Sequence, residues 1–362
     1  MTSTNDGGVD HSGPNESEGA DPAGVDSARV TDWLEAHVDA VARPLSFELI
    51  TGGRSNLTFR VTDADGRRWV LRRPPLRQVL ATAHDMAREH KIIAALGPTD
   101  VPVPSVVGLC TDDEVNGAPF YVMSFVEGTV IRDVTVAKEL SVDQRRVAGE
   151  SIVEVLARIH AVDIDAVGLG DLGKREDYLA RQLRRWYMQF ENSKTRDVPV
   201  VDEVHEALVK CMPRQGPSTI VHGDYRLDNC MIDDRGQVAA VLDWELCTLG
   251  DPLADVGLLI VYSPDASQAR VTGVPSATSL DGFPTQPEIL EHYARISGRD
   301  LSEIEYYVAF GNWKLACIIE GVYARYVGGA MGVQGQASDY DFFGQQVLII
   351  AERARDALSR LS

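Results

Sequence analysis

The stretch Ile220-Val221-His222-Gly223-Asp224-Tyr225-Arg226-Leu227-Asp228-Asn229, followed by Val241-Leu242-Asp243-Trp244, constrains the fold of this chain more than any other feature. It reads as the end of a strand, a loop, a short hairpin and a second loop. An Asp, an Asn five residues later and a second Asp nineteen residues after the first are what metal-assisted phosphoryl transfer needs. In that chemistry Asp224 orients an attacking hydroxyl and accepts its proton late, while Asn229 and Asp243 hold Mg²⁺ against nucleotide phosphates. One loop then presents both base and metal ligand, and the returning strand delivers the second ligand. A lone His-Gly-Asp would carry little; in register with Asn229 and Asp243 it specifies a site.

These residues resemble the signature of the aminoglycoside phosphotransferase (APH) family: H-G-D-x-x-x-x-N, then a hydrophobic strand ending in Asp and Trp or Phe. Gly250-Asp251-Pro252-Leu253-Ala254-Asp255 is similar to the G-D-P-x-x-D that follows in that family. The resemblance extends over roughly residues 45 to 345 and is most specific within 220–257. Leu71-Arg72-Arg73-Pro74-Pro75 resembles the branch related to kinase modules fused to acyl-CoA dehydrogenases. The resemblance implies an α+β, bilobal protein-kinase-like fold, with a small antiparallel β-rich N-lobe and a larger, mostly helical C-lobe. It also implies ATP or GTP as co-substrate, with Mg²⁺.

The residue pattern agrees with that division. Residues 1–27 hold Asp6, Asp10, Glu16, Glu18, Asp21 and Asp26 with no Lys or Arg, and read as a disordered acidic tail. Residues 28–126 read as the nucleotide-binding N-lobe, and 127–362 as the C-lobe with the catalytic loop, metal and substrate sites. A helix starts near Asp26-Ser27. Strands follow at 45–50, 57–61 and 69–73, then a helix over 83–96 and a strand over 120–126. Beyond Gly128 the pattern is helical: 142–160, 175–190, 201–212, 253–262, 288–296, 303–329 and 340–361. Residues 263–287 read as a loop, either a lid or a disordered excursion.

Net charge is −19, which disfavours nucleic acid as a partner. No apolar run is long enough to cross a membrane, and no signal peptide is evident. Five scattered cysteines without a C-x-x-C read as free thiols in a reducing cytoplasm. The expected partners are a nucleotide and a small-molecule hydroxyl acceptor, bound by a monomer or weak homodimer.

The resemblance distributes further roles. His222 would brace the loop by buried hydrogen bonds, and Asp255 would cap the loop's backbone amides. Arg72 would be the phosphate-binding residue of the third strand, with Glu89 as its ion-pair partner. Arg73 alternates to the other strand face, so only one of the two can serve, and Arg88-Glu89-His90-Lys91 also reads as a solvated helix face. Gly53, Ser55 and Asn56 lie in a turn that can cradle phosphate or can simply be a hairpin. Ser124 and Val126 would bind the adenine edge through their backbones. Arg226, Glu245, Trp313 and Arg325 are candidates for the acceptor site, with Tyr225 beside them; Trp313 reads equally as core, and Glu245 as metal support or surface. Two other functions stay open: a kinase for hydroxyacyl-CoA or another metabolite, and a nucleotide-binding regulatory module without turnover. A protein kinase is disfavoured, because Gly250-Asp251-Pro252 arrives only seven residues after Asp243 and leaves no activation segment.

Overall fold

The computed structural model describes residues 21–50, 56–76, 85–264, 276–328 and 341–361. Contacts divide the chain into two compact units, one of residues up to 87 together with 107–123, the other of 88–106 together with 124 onward.

The first unit opens with α1 (Ser27–Glu35), whose N-cap Asp26 accepts a hydrogen bond from the Arg29 amide at 3.0 Å. Its sheet contains β1 (Ser46–Leu49), β2 (Leu57–Thr62), β3 (Arg68–Arg73), β4 (Val106–Cys110) and β5 (Phe120–Ser124), in the order β1-β2-β3-β5-β4. β1, β2 and β3 are antiparallel, with Phe47 opposite Val61 and Phe59 opposite Leu71. Period-two alternation puts Phe59, Val61, Trp69 and Leu71 into one core with Phe120 and Val122. α1 adds Val30 and Leu34 to the same core, as its i, i+4 spacing requires. Residues 21–26, placed with the acidic tail in the sequence reading, contribute the buried Val25 to this core. β4 was not foreseen. Its Gly108 lies under the Trp33 indole, where a Cβ would come within 3.2 Å of the ring.

The second unit is mostly helical. α2 (Met86–Leu96), α4 (Val134–Glu139), α5 (Val142–Ala161), α6 (Tyr178–Ser193) and α7 (Pro199–Lys210) precede the 219–250 segment, the one-turn α3 (Asp113–Asn116) belonging to the first unit. α5 starts on a capping box in which Ser141 and Gln144 satisfy each other's amides. The 219–250 segment contains β6 (Thr219–Val221), β7 (Cys230–Ile232), β8 (Val238–Val241) and β9 (Thr248–Gly250), paired as β6–β9 and β7–β8. Then come α8 (Leu253–Tyr262), α9 (Gln286–Ser297), α10 (Ile304–Val327) and α11 (Asp341–Ser359).

α10 is apolar on nearly every side and packs against α6, α7, α8 and α11, as a helix without a polar face must. Gly257 of α8 lies against the Tyr307 backbone of α10, where a Cβ would approach to 2.5 Å. That contact lets the two helices approach closely. Part of the loop expected over 263–287 is anchored: Ala277–Ser279 is a 3-10 turn, and the Asp281 carbonyl accepts from Arg145 at 2.6 Å. Residues 265–275 of it lie outside the described residues. Among the described residues no helix is long and apolar enough to cross a membrane. All five cysteines are free thiols, and all but Cys211 are buried.

Candidate functional site

β6 delivers the chain to His222, and β7 and β8 return it to Asp243. The β7–β8 register pairs Cys230 with Val241, and the Leu242 amide donates to the Asn229 carbonyl at 2.8 Å. Asn229 and Asp243 therefore stand at the same end of the hairpin. Asp243 has φ +63°, a left-handed conformation uncommon for a residue with a side chain. A strained backbone at this position is the kind of feature that functional sites retain.

Asp224 is half-buried and held on several sides. Asn229 Nδ2 donates to its Oδ2 at 3.0 Å and to its backbone carbonyl at 2.8 Å. The Tyr262 hydroxyl lies 3.5 Å from its Oδ1. Arg226 Nε is 3.5 Å from its Oδ2 and 3.0 Å from Asp228 Oδ1, with the guanidinium stacked over Tyr262. Burial opposes the charge of Arg226, yet Asp224, Tyr262, Asp228 and Asp243 together raise its pKa. The loop thus carries a carboxylate with fixed orientation and a cation beside it.

The loop backbone is pinned from below. Asp255, 1% exposed, accepts from the His222 amide at 2.6 Å and the Gly223 amide at 2.9 Å. His222 Nε2 meets the Leu242 carbonyl at 3.0 Å, and its Nδ1 meets the Asp224 amide at 3.3 Å. Those partners make Nε2 the donor and Nδ1 the acceptor. Trp244 packs 4.8 Å from the His222 ring and donates its indole N–H to the Val241 carbonyl. Lys314 Nζ reaches over from α10 to the Gly223 carbonyl at 2.7 Å.

Behind Asp255 lies His160 of α5, fully buried, with Nε2 3.4 Å from Asp255 Oδ2 and Nδ1 2.7 Å from the Tyr293 hydroxyl. Burial raises the Asp255 carboxyl, but His160, His222 and the Gly223 amide outweigh it and hold the pKa below its ordinary value. Burial pushes His160 below its ordinary 6.5. As pH falls through 6.5 the unfolded chain takes up this proton before the folded one does. The contribution of neutral His160 is therefore present above pH 6.5 and is lost progressively below it. Thermal midpoints measured from pH 8 to 5 should fall on the acid side, and His160→Gln should flatten that fall; an unchanged slope in the variant would contradict this account.

The donor set fits Mg²⁺. Asn229 uses its amide N–H groups on Asp224, which leaves Oδ1 as a hard donor, and Asp243 adds a carboxylate. Among the described residues no three His, Cys, Asp or Glu side chains form a closed metal cluster. Mg²⁺ shared with phosphate needs no such cluster, because it keeps several waters and takes phosphate oxygens.

In the first unit the two arginines of β3 separate. Arg73 is buried and donates to the carbonyls of Gly24, Asn116 and Pro74, and desolvation lowers its pKa. Arg72 lies opposite Thr58 on the other strand face and is half-buried. Arg73 is thereby committed to structure. Asn56 is buried, while Gly53 and Ser55 lie outside the described residues. In the second unit Glu89 is buried on α2, which removes the reading as a solvated helix face. The Ser124 hydroxyl accepts from the Ser105 amide at 3.0 Å, and Val126 is half-buried.

The acceptor candidates divide. Arg226 stands beside Asp224, and Glu245 is half-buried on the turn after Asp243. Trp313 is instead a core residue: it is fully buried, donates to the Val201 carbonyl at 3.0 Å and stacks on His205. Tyr225 is likewise buried, its hydroxyl tied to the Ile152 carbonyl of α5 at 2.8 Å. Arg325 is exposed near the end of α10, about 16 Å along the helix axis from Lys314. Tyr262 and His160 were not singled out from sequence, and Asp251 entered only as part of the Gly250–Asp255 motif, without a role of its own. Asp251 accepts from the Tyr307 hydroxyl at 2.8 Å and so ties β9 to α10. Only the fold could reveal these, because each acts through a partner far along the chain.

A family model described as the phosphotransferase enzyme family matches residues 46–292. Acyl-CoA dehydrogenase family member 10 of Mus musculus is 37% identical over 300 residues, 82% of this chain and 27% of that protein. The chain spans about a quarter of that relative's length. A solved structure of a candidate aminoglycoside phosphotransferase from Ralstonia eutropha JMP134 is 34% identical, with a TM-score of 0.77. That match covers 92% of this chain and 98% of the other. Aminoglycoside phosphotransferase APH(4)-Ia, solved in ternary complex with AMP-PNP and hygromycin B, shares the fold with a TM-score of 0.58 at 15% identity, covering 90% of this chain and 98% of its own. The α+β architecture is the protein-kinase-like one.

Proposed function

The chain belongs to the phosphotransferase enzyme family, and on that footing we propose that it is a small-molecule kinase moving the γ-phosphoryl group of ATP or GTP to a substrate hydroxyl. The observation that carries this reading is the fixed orientation of Asp224, gripped by Asn229 at both its carboxylate and its carbonyl. The acceptor oxygen attacks the γ-phosphorus, and the bond to the β–γ bridging oxygen breaks with its electron pair leaving on the nucleoside diphosphate. Asp224 orients the hydroxyl and takes its proton late, since the transition state is loose. Asn229 and Asp243 would hold Mg²⁺, which supplies neutralising charge to the phosphates when bound. In the first unit, Arg72 and Asn56 are assigned to the phosphates. In the second unit, Ser124 and Val126 are assigned to the base edge through their backbones.

The acceptor class follows from the family only in outline. Aminoglycoside-like alcohols are one class. Hydroxyacyl-CoA esters are a second, favoured by the named relative among acyl-CoA dehydrogenase family members and by the Arg226 cation beside the base. Transfer from Mg-ATP and Mg-GTP should be measured across aminoglycosides, amino sugars, choline-like alcohols and hydroxyacyl-CoA esters, with Asp224→Asn as blank. Transfer to one class, absent in the blank, is the expected result. Tight nucleotide binding with no transfer to any acceptor would favour a regulatory module instead.

A further inference from the structure

Lys314 sits mid-way along α10 and is 6% exposed, although lysine ordinarily keeps its ammonium in water. Burying that charge is costly unless the surroundings repay it. Its Nζ donates to the Gly223 carbonyl at 2.7 Å and lies 5.3 Å from the centre of the Trp186 ring on α6. Among the described residues no carboxylate stands within ion-pair distance of it. Burial pushes its pKa down; Asp224 and Asp255 pull it back up, and Arg185 adds to the lowering. The anionic groups facing this ammonium are therefore the proposed base and the residue that caps the base's loop.

The bond falls at a sensitive place. Gly223 has φ +84°, and a Cβ there would come within 2.8 Å of the Leu246 carbonyl oxygen, so its backbone conformation is open to glycine alone. The peptide whose carbonyl Lys314 holds carries the Asp224 amide at its other end, which donates to His222 Nδ1. A change in the ψ angle of Gly223 would turn that peptide and carry Asp224 with it. Asp255 fixes the two amides before it, and Lys314 alone among these groups fixes its oxygen. A smaller neutral donor would satisfy a carbonyl at lower desolvation cost, so a buried lysine at this carbonyl points to a task beyond packing.

We propose that Lys314 is a positioning residue for Asp224, its ammonium locking the Gly223–Asp224 peptide and setting a fixed positive charge behind the base. The role rests on the reading of Asp224 as base in a phosphoryl transfer.

The test compares Lys314→Met and Lys314→Arg with the unsubstituted 362-residue chain. Phosphate transfer by wild type that Asp224→Asn abolishes comes first; its absence would sink the kinase reading and the role of Lys314 with it. With transfer established, Lys314→Met should lower kcat by about 10–100-fold, the scale of a misplaced reacting group, and leave the KM for Mg-ATP within about twofold. Amide hydrogen exchange over residues 220–229 should speed up at least about tenfold in Lys314→Met, with α9 unaffected. Lys314→Arg, which keeps a cation and N–H donors, should recover most of both losses. A Lys314→Met enzyme with wild-type kcat and exchange would overturn the proposal while leaving the kinase reading intact. Equal global unfolding of both variants would mark Lys314 as structural only, and overturn it too.

Discussion

Asp224→Asn should lower the phosphoryl-transfer rate by about 10²–10⁴-fold, the usual range for loss of a general base, while nucleotide binding stays within about threefold of wild type. The substitution changes charge and proton affinity with almost no change of shape. The Asn229 amide retains the backbone carbonyl of residue 224 as a partner at 2.8 Å, and Arg226 retains Asp228 at 3.0 Å. Loop geometry should therefore survive, and thermal melting should move little. The groups proposed to meet the phosphates, Asn229 and Asp243, are untouched. The effect should appear in kcat, with the KM for nucleotide nearly constant, because the lost interaction belongs to the transition state. Steady-state kinetics together with nucleotide titration by calorimetry measure both halves. If kcat stayed within about threefold of wild type, another group would have to accept the proton, and the assignment of Asp224 would be wrong.

The catalytic segment was legible because its chemistry demands fixed residue types at short spacing. The pattern of an Asp, an Asn at +5 and an Asp at +19 led directly to a loop, a hairpin and a second loop, and β7 and β8 are that hairpin. The long helices were legible from apolar periodicity, α5 and α10 within one or two residues. β4 was not, because Val106–Cys110 is five residues long, contains Gly108 and follows closely on Pro102 and Pro104. α4 is a six-residue helix whose start depends on Asp133 as N-cap, too short for a periodic signal. Trp313 illustrates a different limit. Helical spacing says that it shares a helix with Lys314, not which of the two faces the loop; the packing of α10 on α7 and α8 decides that. The choice between Arg72 and Arg73 turned on the carbonyls of Gly24, Asn116 and Pro74, two of them remote in sequence.

Asp255→Ala should be the most damaging single change to stability, at roughly 3–5 kcal/mol, the scale for removing one partner from a buried charged network. The carboxylate is 1% exposed and serves two backbone amides with its two oxygens, at 2.6 and 2.9 Å. Its removal leaves the His222 and Gly223 N–H groups in the interior with no acceptor, at about 1–3 kcal/mol each. Asp255→Asn is the sharper variant, since it keeps the volume but has only one oxygen. Its NH₂ group must then face one of two amide donors, so one hydrogen bond becomes a repulsion. The pH dependence separates this from simple loss of packing. The Asp255 pKa is held below its ordinary 3.8, so the ionised carboxylate contributes stability above that value and loses it as pH falls through the folded pKa. At neutral pH both variants lack that contribution; in strong acid the wild type loses it as well, and the difference between them should shrink. Denaturant melts at pH 7 and pH 3 read both predictions. A variant as stable as wild type at pH 7 would mean that the two amides find other partners, and that Asp255 does not carry the loop.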